Sequence, residues 1–152
     1  MRIEQAAYDD LEQILKLQYL AYQSEARLNN NYFIPPLLQT LENLQEEYRR
    51  GRVLKAVNED NLILGSVRGY VNDNTLYIGK LIVHPEQQGK GIGTKLLISM
   101  EQEYPGLRYE LFTSSKSLRN LSLYERLGYV RFKETQVSAE LVFVYLEKSR
   151  NA

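Results

Sequence analysis

Apolar side chains recur along this chain with two periods, one helical and one extended. Leu11, Ile14, Leu15, Gln18 and Tyr22 fall on one face of a helix that starts at Asp9 or Asp10, with Glu12 three residues after Asp9 in capping-box spacing. Leu41, Leu44 and Tyr48 mark a second helix from about residue 37 or 40 to residue 50, and Gly51 stops it. Residues 2–7 read as a short edge strand. Between the two helices, Asn29-Asn30-Asn31 and Pro35-Pro36 break the pattern, so residues 28–36 read as a loop.

The middle of the chain changes period. Residues 52–57, 62–71 and 75–83 are rich in β-formers, and Asn58-Glu59-Asp60-Asn61 and Asn72-Asp73-Asn74 separate them as hairpin turns do. An antiparallel meander follows. Ile92, Leu96, Met100 and Tyr104 then define a helix over residues 91–104, and residues 109–113 form a short apolar strand. Ser117 starts a further helix that ends at Gly128, and residues 129–138 and 141–147 close the chain as strands. The step from 75–83 through a helix to 109–113 is a crossover, so those two strands run parallel. The expected fold is α/β (α+β), a mixed and mostly antiparallel sheet of about seven strands with helices on both faces.

Composition narrows the chemistry. The 152 residues suit one domain over 1–152, and 19 basic side chains balance 19 acidic ones. That balance gives no broad surface for nucleic acid. With no Cys, disulfides, thiolate metal sites and a Cys nucleophile are excluded, and a reducing cytoplasm suits the chain. A single His makes a histidine zinc site or a serine triad hard to assemble, so no metal is expected. The first residues hold no apolar signal core, and no apolar run is long enough to span a bilayer. Twelve Tyr beside no Trp make tyrosines candidates to line a pocket.

The most informative stretch is Leu81-Ile82-Val83-His84-Pro85-Glu86-Gln87-Gln88-Gly89-Lys90-Gly91-Ile92-Gly93-Thr94, a strand, a glycine-rich turn and a helix start. The first backbone N–H groups of a helix have no intrahelical partner, and its dipole adds positive potential there. Glycines let an anion approach the backbone closely. A phosphate or diphosphate is the ligand such a turn suits. The letters do not make a P-loop, because Gly93 is followed by Thr94-Lys95 in the reverse order. They do not complete a dinucleotide fingerprint either, because Thr94 replaces its third glycine.

A third pattern fits. Gln88-x-x-Gly91-x-Gly93 after a strand resembles the acetyl-CoA signature of the GNAT superfamily of N-acetyltransferases, and Asn120 followed by Tyr124-Glu125-Arg126-Leu127-Gly128-Tyr129 resembles its second motif. The resemblance implies the GNAT fold, with the sheet splayed in the middle. It implies that backbone amides of Gln88, Gly89, Lys90, Gly91, Ile92, Gly93 and Thr94 hold the diphosphate of acetyl-CoA. Leu81, Ile82 and Val83 would pair with the pantetheine arm, and Asn120, Leu123 and Arg126 would face the cofactor. Tyr124 matches the family's general acid. Glu25, Tyr32 and Phe33 lie in the segment that forms the acceptor cleft, and a homodimer is expected on the same ground. The glutamate that many members carry on the preceding strand is missing, since 75–83 has only Lys80 and Tyr77 as central polar groups. Glu25 or Glu42 could supply a base from the other side. The implied activity is acetyl transfer to a primary amine of a small molecule or peptide, without an acetyl-Cys intermediate. A non-catalytic CoA-binding module, or a nucleotide binder, stays open on the residues alone.

Overall fold

In the computed structural model, which describes residues 1–149, seven strands form one sheet. They are β1 (Arg2–Gln5), β2 (Arg52–Val57), β3 (Ile63–Asn72), β4 (Thr75–Val83), β5 (Arg108–Ser114), β6 (Val130–Gln136) and β7 (Val142–Lys148). Their order is β1-β2-β3-β4-β5-β7-β6, with β4 and β5 parallel and all other neighbours antiparallel. The expected meander, crossover and edge position of β1 are all present. The β3–β4 hairpin turns through Asp73 and Asn74, both at positive φ (50° and 63°), a geometry that these short polar side chains tolerate. At the β2–β3 turn the Asn58 carboxamide oxygen accepts the backbone N–H groups of Asp60 and Leu62.

The helices are α1 (Leu11–Ala21), α2 (Gln23–Leu28), α3 (Pro35–Leu38), α4 (Leu41–Arg50), α5 (Ile92–Glu103) and α6 (Leu118–Arg126). The region expected as a loop over 28–36 is therefore partly helical. Pro35 and Pro36 open α3, where a fixed φ and a missing N–H cost nothing. Thr40 then caps α4 by accepting the Asn43 N–H. The Asp9–Glu12 capping box does not form. Instead the Asp10 carboxylate accepts the Ala7 N–H and the Lys55 ammonium, each at 2.7 Å.

Two cores sandwich the sheet. On one face Leu54, Ala56, Val67, Leu76 and Ile78 pack with Leu96, Leu97 and Met100 of α5 and Leu121 and Tyr124 of α6. On the other, Val53, Val57, Ile63 and Ile82 pack with Leu11, Ile14 and Leu15 of α1 and Leu44 of α4. In β4 the even-numbered Leu76 and Ile78 face α5, whereas the even-numbered Ile82 faces α1. One extra residue causes that reversal. Ser66 pairs with Ile82 and Arg68 with Gly79, so three steps of β4 oppose two of β3. Lys80, in the bulge, sits at φ 50°.

Beyond the bulge, β4 and β5 part. They pair only at Thr75–Arg108, Leu76–Tyr109 and Tyr77–Glu110. Arg108 pins this closed end, donating to Glu110, Glu147 and Thr75 at 2.9, 3.0 and 3.4 Å. At the far end of α5, the buried Glu101 carboxylate accepts the Tyr129 hydroxyl and the Lys148 ammonium. Because Leu96 is fully buried where α5 crosses the sheet, Leu96→Ala is expected to cost about 2–5 kcal/mol. Urea unfolding followed by circular dichroism measures it.

Candidate active site

The splay between β4 and β5 lets side chains from both faces of the sheet meet. Two concavities occupy it. A groove of about 510 Å³ runs along the start of α5, and a chamber of about 730 Å³ lies beside it. Tyr22, Glu25, Leu81 and Asn120 line both and mark their junction.

The groove is built from the glycine turn. Gly89 and Gly91 adopt φ 79° and 82°, a region where a β-carbon is strained. Gly91 is the N-cap of α5 and no side chain caps the helix, so the first-turn N–H groups have no side-chain acceptor. His84 instead turns back on its own loop, its Nδ1 accepting the Glu86 N–H. Leu81, Ile82, Val83, Gln88, Gly89, Gly91, Ile92, Gly93 and Thr94 all line the groove, with Asn120, Leu123 and Arg126 of α6 opposite. Lys90 does not. Its ammonium reaches back to the Gln87 side chain at 3.1 Å. Arg119, which sequence reasoning passed over, also lines the groove and donates to the Gln88 side chain. Its signal was a cation one residue ahead of Asn120, which opens the second motif. These features fit an anionic diphosphate: a helix start, open donors, two left-handed glycines and cationic side chains at Arg119 and Arg126.

The chamber is aromatic, with charges buried in its wall. Tyr124 lines it and is buried against the core. Burial pushes the Tyr124 phenol well above the usual tyrosine range, helped by the fields of Tyr22 and Glu25, so it stays protonated. Tyr22 is pushed up to about 12, again mainly by burial. Burial also raises Glu25 above the ordinary carboxylate range, against the Ser117 and Asn29 hydrogen bonds that pull it down. Asn120 donates to Thr113 on β5 at 3.2 Å, which fixes it at the junction.

The expected acceptor residues divide. Glu25 is at the junction, but Tyr32 and Phe33 line neither cavity and are 50% and 77% exposed. Ile34, Pro35 and Pro36 take their place in the wall, because Ile34 is the residue of this segment that turns inward. Glu42 is not in the wall, whereas Glu47, one and a half turns later on α4, is. Arg68 and Lys80 also line the chamber. Arg68 was visible as a charge inside an apolar strand. It donates to Gln18 and Gln39 and approaches Glu47 at 3.5 Å.

Among the described residues, no helix is long and apolar enough to cross a membrane, and no cluster of ligating side chains could hold a metal ion. Comparison with known proteins places this architecture. In solved structures, the PaiA N-acetyltransferase of Thermoplasma acidophilum, in complex with coenzyme A, superposes with a TM-score of 0.79 at 19% identity, covering 97% of this chain and 98% of that one. The ribosomal-protein-S18-alanine N-acetyltransferase of Escherichia coli gives 0.79 at 14% identity, covering 97% and 92%. The UPF0157 protein YqkA of Bacillus subtilis (strain 168) is 24% identical over 131 residues, which is 86% of this chain. The chain spans only 37% of that protein's length. Residues 9–129 match the acetyltransferase (GNAT) family, and with the split sheet and glycine turn in place, this chain belongs to that family.

Proposed function

We propose that this protein transfers the acetyl group of acetyl-CoA directly to a primary amine of a small molecule or peptide. The observation that carries the proposal is the junction: the open glycine turn of α5 lines a groove that meets the Tyr124 chamber where the sheet splits. Structural neighbours include a spermidine N-acetyltransferase chimera and an aminoglycoside 6′-N-acetyltransferase in complex with coenzyme A, which supports an amine as acceptor.

The backbone amides of residues 88–94 hold the diphosphate, and Leu81, Ile82 and Val83 offer main-chain groups to the pantetheine arm. Bound acetyl-CoA supplies the acyl carbon, to which the amine nitrogen bonds as the carbon–sulfur bond breaks. Glu25 takes the proton from the incoming ammonium, and its raised pKa brings it closer to that of an amine. Tyr124 donates its phenolic hydrogen to the sulfur as charge develops there. A thiol is the stronger acid by about 1.5 pK units even against an ordinary phenol, so hydrogen bonding outweighs full proton transfer. The nitrogen gives up its second proton as the amide forms, and that proton ends on the departing sulfur, so the products are the N-acetyl amine and CoA as its thiol.

Three outcomes check this reading. Calorimetry is expected to show CoA binding that weakens about tenfold in Gly91→Ala, whose β-carbon would face a left-handed backbone at the cost of roughly 1–2 kcal/mol. Tyr124→Phe is expected to lower kcat for CoA release about 100-fold while leaving the CoA dissociation constant unchanged. Turnover depends on ionised Glu25, so it falls as pH drops through a pKa lying above that of an ordinary glutamate, and Glu25→Gln removes that acid limb. Release of CoA at the same rate by Tyr124→Phe as by the parent protein would rule out the role given to Tyr124.

A further inference from the structure

The charged side chains of the chamber are not equivalent. Glu110 is engaged by Arg108 at 2.9 Å, and Arg50 by Glu46 at 3.6 Å. Glu47 and Arg68 face each other at 3.5 Å, Gln39 donates to Glu47, and Gln39 and Gln18 accept from the terminal nitrogens of Arg68, leaving only its Nε without a partner. Glu25 is held by Ser117 and Asn29. Lys80 is the exception: its ammonium makes no hydrogen bond or ion pair with any described residue. A largely buried cation without a partner is unfavourable, because the protein replaces none of the water it has lost.

Its backbone adds a second, independent observation. Lys80 is the bulged residue of β4 and, among the described residues, the only non-glycine residue inside a strand with a left-handed φ. The turns hold the other four, all Asn or Asp. A long side chain in that conformation costs roughly 1–3 kcal/mol, and the neighbouring Gly79 has no atom within 4 Å of where its β-carbon would stand. A glycine at position 80 would relieve the strain. The lysine therefore keeps its place at an energetic cost, and it stands in the chamber wall within the fields of Glu47 of α4 and Arg68 of β3.

Resting on the acetyltransferase reading above, we infer that Lys80 is the anchor for a carboxylate on the acceptor, so that the substrate class is an amine carrying a single negative charge and an apolar or aromatic body, an amino-acid-like molecule. The chamber matches each part. Tyr70 and Tyr77 stack with ring centres 5.2 Å apart, and Phe143 and Tyr145 also line the chamber, giving a flat apolar body something to lie against. Lys80 supplies a positive charge with no hydrogen-bonding partner, and Glu47, whose field reaches it, disfavours a dianion such as a phosphate monoester. Burial holds the free lysine below its ordinary pKa against the opposing field of Glu47, with a smaller contribution from Arg68. A carboxylate in contact would restore it.

The test measures binding rather than turnover. The CoA-loaded protein is titrated by calorimetry with 3-phenylpropionate, its neutral amide 3-phenylpropanamide, and phenyl phosphate. The expected result is that the acid binds at least tenfold more tightly than the amide and more tightly than the phosphate. That preference should vanish in Lys80→Met, persist in Lys80→Arg, and vanish in Lys80→Gly without loss of thermal stability. Equal binding of acid and amide, no binding of any of the three, preference for the phosphate, or an acid preference surviving in Lys80→Met overturns the inference. Titration of CoA into the free protein reads the acetyltransferase proposal separately: CoA binding with no acid preference removes only the carboxylate anchor, and absence of CoA binding removes the proposal on which it rests.

Discussion

One extra residue in β4 governs the rest of the molecule. Without it, the alternation that places Leu76 and Ile78 against α5 would continue through Lys80 and Ile82, and the lysine would be driven into the same core. With it, the apolar residues on each side of the bulge still reach a core, and the interruption absorbs the charged one. The same interruption bends the strand away from β5, whose pairing with β4 stops at Tyr77 and Glu110. A sheet that stayed paired would have no cavity between these strands and no route by which Tyr124 on one face could meet Glu25, Arg68 and Lys80 on the other.

Much of this was legible in the sequence because local chemistry fixed it. The polar turns at 58–61 and 72–74 specify hairpins, the apolar spacing of Ile92, Leu96 and Met100 specifies α5, and the two motifs mark the groove and its opposite wall. All of the groove residues anticipated from the motifs line it except Lys90, whose side chain leaves on the solvent side of the turn. What local chemistry did not show was set by pairing at a distance. The insertion of β7 between β5 and β6 is a topological fact with no local signature. Nothing around Tyr32 and Phe33 says that Ile34, rather than either ring, turns inward, because that depends on where α3 docks. The residues of the chamber wall come from β3, β4, β5, β7 and from α2 through α6, so no single segment announces them.

The polar groups of the chamber also show how a charged interior is held by hydrogen bonds in a chain with no disulfides. Arg68 is 5% exposed, yet Gln18, Gln39 and Glu47 surround its guanidinium, leaving only Nε without a partner. Ser114 of β5 donates to Asn29 at the end of α2 at 3.1 Å, which ties the helical wall of the chamber to the far side of the split. Such densely connected polar networks rigidify a site, whereas a member with no hydrogen-bonding partner leaves a position for a ligand group.

Arg108 fastens β4, β5 and β7 at the narrow end of the split, and no comparable fastening joins β4 to β5 further along. The split therefore opens on the far side of that rivet, like the jaws of a caliper. For the acceptor proposed above, a flat ring would reach deeper toward the rivet than a bulky or branched body, and the depth reached would set how far its nitrogen stands from the junction. Molecular thickness thus becomes a means of discrimination that needs no contact specific to any one compound.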